Sequence, residues 1–193
     1  RLAFGNFRAL LEHVTLCAAM GAYLNTAGNQ KEDPATGRVP DENYAREVMQ
    51  LFTIGLVELQ PDGTPRLGPQ GRPVETYDAD DVTNLARVFT GYRIDMSGPD
   101  FAIGAAGRRV PLHTYTRRPM AFDPALHSTR EARFLGTTVP AGTPGPQALK
   151  IALDTLFQHP NVGPFFGRQL IQRLVTSHPS PAYVARVAAA FAD

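Results

Sequence analysis

The sequence lacks the features that mark several common classes of protein. None of its 193 residues belongs to an apolar run of about 18 residues, so no segment predicts a helix that spans a bilayer. Cys17 is the only cysteine, which excludes a disulfide framework and a thiolate metal cluster. The 19 basic and 18 acidic side chains give a net charge of +1, so the composition does not favour nucleic acid as a partner.

Sequence templates of familiar enzymes are also missing. The chain contains no glycine-rich phosphate loop, no Gly-x-Ser-x-Gly nucleophile elbow and no dinucleotide fingerprint. No cofactor is therefore predicted, and the residues alone leave open whether the protein is an enzyme. What is present is a hydrophobic content of 43%, which is enough to form one globular core.

Apolar residues at helical spacing predict six helices. A long helix runs from Phe7 to Leu24 and places Cys17 in its apolar stripe, as a small buried side chain. A second helix is expected over 41–54, with Tyr44, Val48 and Leu51 among its core residues. A third begins at Asp78 and ends near Gly91, and three more close the chain after position 144.

The remaining segments predict irregular structure. Positions 25–40 are expected to form an exposed, mobile loop, and about 92–144 an irregular insertion. The Asp62-Gly63 pair predicts a β-hairpin at about 56–76 that projects from the helices and holds the only strands. The expected fold class is mainly α: an irregular helical array with one small β-hairpin and a long irregular insertion. Because the chain begins at Arg1 and stops within a helical pattern, 1–193 is expected to be a single helical domain fragment, truncated at both ends.

Polar residues in the second helix form the first candidate binding group. Asn43, Arg46, Glu47 and Gln50 recur at spacings that place them on one face, opposite the apolar stripe; we call this group the polar ridge. The ridge is either an ordinary solvated face or part of a functional or buried polar network. Arg87, in the last turn of the third helix, is expected to make forked hydrogen bonds to a carboxylate such as Glu47 or to a bound anion.

A second candidate group lies in the irregular segment. Asp123 and His127 are four residues apart, with His113 upstream, and carboxylate and imidazole groups suit metal binding or proton transfer. The spacing matches no established zinc motif, so Asp123 and His127 are only weak metal candidates and no metal is predicted. The favoured interpretation is a turn aspartate beside a structural histidine.

Several sequence runs, in order along most of the chain, resemble the bacterial family named domain of unknown function 1800. They are Asn-Tyr-Ala-Arg-Glu at 43–47, Leu-Phe-Thr-Ile-Gly at 51–55, Ala-Arg-Val-Phe-Thr-Gly at 86–91 and His-Pro-Asn-Val-Gly-Pro at 159–164. Two positions depart from the family pattern: Tyr92 stands where tryptophan usually follows the Thr-Gly pair, and Ser128 where aspartate often follows the histidine. The resemblance implies a largely helical fold, an upstream export signal and a periplasmic or cell-surface location. It also implies a protein partner from the companion family, domain of unknown function 1501, but no reaction.

Two functions are compatible with these features. The first is an exported envelope protein that binds a partner or a surface polymer without catalysis, and it predicts an exposed apolar patch near the hairpin or the irregular segment. The second is an extracytoplasmic hydrolase in which Glu47, Arg87 and His127, the candidate catalytic residues, meet in one pocket. The deciding observation is whether Asn43, Glu47, Arg87 and His127 share a solvent-reachable pocket.

Overall fold

The computed structural model describes residues 4–97, 101–112 and 117–192. Helices account for 45% of the chain, and seven α-helices lie in the described ranges. They are α1 (Phe7–Thr15), α2 (Ala18–Tyr23), α3 (Asn43–Glu47), α4 (Ala79–Val88), α5 (Gly145–Gln158), α6 (Val162–Leu174) and α7 (Pro181–Ala192). A π-helix, Val48–Thr53, continues α3 directly.

The long first helix of the prediction is instead two helices, α1 and α2. Cys17 adopts an extended conformation (φ −68°, ψ 126°) and forms a β-bridge with Pro119, while the Met120 N–H donates to the Leu16 carbonyl at 2.7 Å. The helix breaks here because a distant backbone segment supplies the hydrogen bonds that the Leu16–Cys17 backbone requires. Cys17 is half-buried, so the prediction of full burial was wrong.

The π-helix changes which side chains of the second predicted helix face the core. Its wider turn, with bonds from residue i to i+5, rotates the side chains that follow Val48 away from an α-helical stripe. Leu51, a predicted core residue, is 56% exposed, whereas Met49 and Thr53 are buried. The Thr53 hydroxyl donates to the Val48 carbonyl at 2.5 Å, which satisfies this buried polar group.

Helix α4 confirms its prediction. The Asp78 carboxylate accepts the Asp81 N–H at 2.9 Å, and the Asp81 carboxylate accepts the Asp78 N–H at 3.0 Å. This reciprocal capping box satisfies two donors that a helix start otherwise leaves unpaired. The buried face carries Val82, Leu85 and Ala86, as the helical spacing predicts.

The strands lie where the sequence predicts irregular structure, so the prediction that strands occur only in the 56–76 hairpin was wrong. The described part of the chain has three two-stranded antiparallel sheets. They pair β1 (Tyr92–Arg93) with β4 (Ala121–Phe122), β2 (Phe101–Ile103) with β3 (Arg109–Pro111), and β5 (Ala132–Phe134) with β6 (Thr137–Val139). In the 56–76 segment, isolated bridges replace strands because two of the three bridges involve prolines, Pro65 and Pro73, which have no N–H to donate.

The turn of the 56–76 segment packs against the helices and does not project from them. Gly63 is buried with φ +78°, and a Cβ there would lie 2.9 Å from the Val184 side chain of α7. The Gly63 carbonyl also accepts a long hydrogen bond of 3.4 Å from the Arg168 guanidinium of α6. A glycine is therefore required at this turn for close packing as well as for its positive φ.

Helix α5 lies at the centre of the core, with α1, α4, α6, the π-helix and β6 packed around it. Its buried face includes Ala152, Leu153 and Leu156, none of which is accessible to solvent. Helix α4 packs on α3 and β5, and α7 packs on α6. In the described ranges, no helix combines the length and the apolar character that crossing a bilayer requires.

Candidate functional site

The polar ridge lies on α3 and the π-helix, and two buried contacts fix its orientation. The Asn29 side chain bonds both the N–H and the carbonyl of Asp41, at 2.9 and 3.1 Å, just before the helix. Tyr44 is fully buried, and its hydroxyl lies 2.7 Å from that of Thr15. With Tyr44 held inside, the face that carries Asn43, Arg46, Glu47 and Gln50 points away from the core.

The outer part of the ridge makes ordinary surface contacts. Arg46 pairs with Glu42 at 3.0 Å, one helical turn earlier, and both side chains are exposed by more than a third. Such pairs contribute about 0.2–1 kcal/mol. The other Glu42 oxygen accepts from the Thr83 hydroxyl of α4 at 2.8 Å, which is where α4 contacts this face.

Glu47 differs from its neighbours on the ridge. Its Oε2 is buried and has no hydrogen-bond partner. Beside it, the Tyr77 hydroxyl donates to the Gln50 side chain at a long 3.4 Å. Burial raises the pKa of the Tyr77 phenol, the Arg46 charge lowers it, and the Glu47 charge raises it further. Glu47 and Tyr77 are therefore close enough to interact electrostatically, and the inner part of the ridge holds a desolvated carboxylate oxygen.

The predicted ion pair between Glu47 and Arg87 does not form among the described residues. The Arg87 guanidinium donates to Asn84 Oδ1 at 2.6 Å and to the Glu131 carbonyl at 3.1 Å. Glu47 lies near Tyr77, which precedes α4, whereas Arg87 lies at the other end of that helix. At 1.5 Å per residue, the two ends of α4 are about 14 Å apart, which separates the two side chains.

His127 belongs to a different polar group, centred on the Thr-Gly turn after α4. The Thr90 hydroxyl donates to the Arg87 carbonyl at 2.6 Å and accepts the Ser128 N–H at 2.8 Å. The His127 Nδ1 lies 3.0 Å from the Thr90 carbonyl. Since a carbonyl only accepts, Nδ1 carries a hydrogen and donates it to the Thr90 carbonyl.

Gly91 allows this close packing. Its φ is +88°, and a Cβ would lie 2.9 Å from the Asp123 carbonyl oxygen and 3.0 Å from the His127 Cβ. Neither neighbour is the flexible end of a side chain, so a larger residue would displace backbone. The Thr-Gly element is thus explained by structure: the threonine hydroxyl joins the end of α4 to the 127–128 segment, and the glycine permits their close approach.

Glu32 completes this group and was not singled out by the sequence. Both oxygens of its carboxylate accept from the Ser128 hydroxyl, at 3.1 and 3.0 Å, and Arg130 pairs with it at 2.8 Å. We call Thr90, His127, Ser128, Glu32 and Arg130 the Thr90 network. Ser128 gives Glu32 a neutral donor, and an aspartate at that position would instead add a second negative charge beside it.

Glu32 was missed because it lies in the 25–40 segment, which the sequence presents as an exposed loop. The segment is not wholly exposed: Thr26 and Asn29 are buried. Its backbone also bonds distant residues, with Gly28 N–H donating to the Tyr92 carbonyl and Lys31 N–H to the Leu126 carbonyl, both at 2.8 Å. No local pattern reveals such contacts, because their partners are far away in sequence.

Arg87 and His127 line a common cavity, together with Ser128 and Arg130, but it is too small for a substrate. Its volume is about 10 Å³, which is near the minimum for one water molecule. Neither Asn43 nor Glu47 lines it. The structure therefore does not bring the four deciding residues into one pocket.

Asp123 acts as a turn residue, which confirms the favoured interpretation. One carboxylate oxygen accepts the Ala125 N–H at 3.1 Å, and the other pairs with Arg93 at 3.3 Å. Within the described ranges, no three His, Cys, Asp or Glu side chains are grouped to hold a metal ion. His113, the third member of the weak metal group, lies outside the described residues.

A second concave surface, away from the candidate residues, was not predicted from the sequence. It is a cleft of about 540 Å³ beside α7, which we call the α7 cleft. Its lining consists of Leu59, Pro61, Phe157, Gln158, His159, Pro160, Val162, Gly163, Pro164, Ala185, Ala188, Ala189 and Phe191. None of these side chains is Asp, Glu, Lys or Arg, so the wall of the cleft is apolar with one titratable group, His159.

His159 is a neutral group in this setting. Burial lowers the pKa of its imidazole, and the Glu58 charge raises it by less. Its Nδ1 accepts the Asn161 N–H at 3.2 Å, which requires an unprotonated nitrogen.

Asn161 lies between Pro160 and Val162, which line the α7 cleft, and it was likewise not identified from sequence. Its amide nitrogen donates to the Ile54 and Val57 carbonyls at 2.7 and 2.8 Å, and its amide oxygen accepts the Leu59 N–H at 2.7 Å. These three bonds join the start of α6 to a segment about a hundred residues earlier. Only the tertiary structure shows this role.

Among known proteins, neither the curated sequences nor the solved structures contain a match to this chain. A family model described as a protein of unknown function (DUF1800) matches residues 1–193, which is the full length given. The match covers the Thr-Gly turn, the polar ridge and the 159–164 run that borders the α7 cleft. The chain therefore belongs to the DUF1800 family.

Proposed function

We propose that this chain is an exported bacterial envelope protein of mainly α fold that binds a protein partner, without catalysis, through the α7 cleft. One observation carries the proposal: the α7 cleft, of about 540 Å³, has an apolar wall with no Asp, Glu, Lys or Arg side chain. Export and a periplasmic or cell-surface location follow from the family resemblance. The 45% helical content supports the fold class.

The size and chemistry of the cleft suit an inserted apolar side chain or short segment. Binding clefts commonly enclose 300–1,000 Å³ and are lined mainly by apolar groups, and the α7 cleft has about 540 Å³. Apolar surface that is left open to water favours a partner, because covering it gains about 25 cal/mol per Å². The companion family, domain of unknown function 1501, supplies the proposed partner.

A charge placed in the cleft tests the proposal. Ala189 lines the cleft and is exposed, so Ala189→Arg should leave folding intact while it introduces a charge and a long side chain. We expect the dissociation constant for a purified companion-family protein, measured by calorimetry, to rise at least about tenfold, because a buried unpaired charge costs more than 1.4 kcal/mol. The matched control is Ala190→Arg, one residue further along the same helix and outside the cleft lining.

Equal affinities of the two variants would contradict the use of this cleft. Absence of binding to the companion protein, together with cleft-dependent binding of a purified envelope polysaccharide, would replace the protein partner with a polymer. Melting temperatures of both variants establish that neither change unfolds the chain.

The pH dependence of binding provides a second test of the α7 cleft. Because the pKa of His159 is lowered from 6.5, the imidazole is neutral at pH 7 and becomes charged only below pH 6.5. Affinity should therefore fall as the pH decreases below 6.5, and His159→Gln should remove that dependence. A fall in affinity below pH 6.5 that His159→Gln leaves unchanged would contradict a role of His159 in the cleft.

The alternative function, an extracytoplasmic hydrolase, rests on one feature of the Thr90 network. His127 is buried, and the Thr90 carbonyl fixes its ring, as a positioned general base requires. The separation of Glu47 from His127 and Arg87 removes the three-residue site that this function first suggested. Hydrolysis of a simple aryl ester that disappears in His127→Gln, with the melting temperature unchanged, would favour the enzyme.

A further inference from the structure

The β2–β3 hairpin differs from every other strand pair in the described structure, because neither of its faces packs on the core. Of residues 101–110 and Leu112, none is buried. Ile103 is 72% exposed, Val110 46% and Leu112 44%. A two-stranded hairpin alone is marginally stable in water, so apolar side chains on both of its faces call for a surface that covers them.

The register places apolar side chains on both faces. Ala102 lies opposite Val110 and Ile103 opposite Arg109, and directly opposed residues share a face. The hairpin therefore has no polar side that faces water while the other packs inward. This is the pattern of an element that enters an apolar environment from its tip.

The tip itself is apolar where turns normally carry polar residues. Residues Ala105–Gly107 form the turn, and Ala106 holds a left-handed conformation with φ +58°. Glycine or asparagine adopts this conformation at lower cost than alanine, which makes a small apolar residue at this position notable. The turn exposes no polar side chain that would resist leaving water.

The hairpin carries positive charge beside its apolar tip. Residues 101–111 contain two arginines, Arg108 and Arg109, and no aspartate or glutamate, although the whole chain has a net charge of only +1. Arg108 is exposed just before β3, and the Arg109 guanidinium lies 5.4 Å from the centre of the Phe101 ring. The hairpin therefore has a local excess of positive charge, whereas basic and acidic side chains nearly balance in the rest of the chain.

We propose that the β2–β3 hairpin binds an anionic lipid surface, with Ile103 and the Ala105–Gly107 turn entering the headgroup region and Arg108 contacting lipid phosphates. Charge complementarity selects anionic over neutral lipid, and the exposed apolar tip selects a bilayer over a soluble polyanion. This site is separate from the α7 cleft, so it does not depend on the proposed partner binding.

Vesicle sedimentation of the full chain tests the charge requirement. Binding is expected to vesicles of equal phosphatidylcholine and phosphatidylglycerol, and not to phosphatidylcholine alone. Arg108→Glu should weaken that binding by about tenfold or more, since each basic residue near an anionic surface contributes severalfold to affinity. Arg72→Glu makes the same change at an exposed position of the 56–76 segment and should leave binding unchanged.

Insertion is tested by two further variants. The chain has no tryptophan, so Ala105→Trp places a single reporter at the tip, and its emission should shift to shorter wavelength with the mixed vesicles. Ile103→Ser should weaken binding several-fold, whereas Leu67→Ser, at a residue that is 60% exposed elsewhere, should not. No vesicle binding, no shift of emission, or binding to soluble polyphosphate that Ile103→Ser leaves unchanged would each overturn the proposal.

Discussion

The polar ridge and the Thr90 network are both polar groups beside α4, but they satisfy their polar atoms to different extents. In the Thr90 network, the hydroxyls of Thr90 and Ser128 and the carboxylate of Glu32 all have partners. On the ridge, Glu47 Oε2 is buried without one. Buried polar groups that are fully bonded hold a structure in one arrangement, whereas an unpaired one costs free energy. The difference indicates that the Thr90-Gly91 turn of this chain has a structural role.

The largest effect is expected from Thr90→Val, which keeps the shape and removes the hydroxyl. The buried Ser128 N–H would lose its acceptor, so the free energy of unfolding should fall by about 2–3 kcal/mol. Urea denaturation measures this loss, with Thr129→Val, at an exposed neighbouring position, as the control. If Thr90→Val lowers the free energy of unfolding by less than about 0.5 kcal/mol, the Thr90 network stabilises the fold no more than the polar ridge does.

Ser128→Ala should have the next largest effect. It removes the hydroxyl that donates to Glu32 but leaves the ion pair of Glu32 with Arg130 intact. The free energy of unfolding should fall by about 1–2 kcal/mol, since a hydrogen bond to a charged group is lost. Ser97→Ala, in an exposed turn, should change stability little. Equal effects of the two changes would show that Glu32 does not need the Ser128 donor.

Two buried tyrosines extend the comparison to a single residue type. Burial raises the pKa of both Tyr44 and Tyr92, but the Tyr44 hydroxyl contacts Thr15 at 2.7 Å whereas that of Tyr92 has no partner. Tyr44→Phe should therefore cost about 1 kcal/mol of unfolding free energy, and Tyr92→Phe should cost nothing or stabilise slightly. Thermal unfolding of the two variants measures this difference. A larger loss of stability in Tyr92→Phe than in Tyr44→Phe would show that the Tyr92 hydroxyl has a hydrogen-bond partner in solution.

The smallest effect is expected at Glu47, where the sequence predicts a stabilising pair with Arg87. Because no partner binds Oε2, Glu47→Gln should leave the free energy of unfolding unchanged or raise it by up to about 1 kcal/mol. Glu75→Gln, at an exposed carboxylate, serves as the control. A loss above about 1 kcal/mol would mean that Glu47 is paired after all, which would restore the network that the sequence predicts.

The exposed apolar patch expected of a binding protein occurs in the irregular segment, at Ile103, Val110 and Leu112. On α6, the apolar side chains of Leu170 and Leu174 are 40% and 77% exposed. Helical spacing shows which residues share a face, but not how far a neighbouring element extends along that face. The sequence therefore identified the apolar stripe of a helix, but it did not identify which neighbouring elements cover that stripe.

The sequence by itself determined the features that depend on a few adjacent residues. The capping box of α4, the three C-terminal helices and the common face of the polar ridge all follow from spacing and capping chemistry. Only the tertiary structure decided the break at Cys17, the π-helix, the separation of Glu47 from Arg87 and the roles of Asn161 and Glu32. The physical reason is the range of the interactions. Asn161 bonds residues more than a hundred positions away, and Glu32 bonds Ser128 across 96. The local sequence contains no periodic pattern that identifies such partners, because the packing of the helices determines which distant residues come into contact.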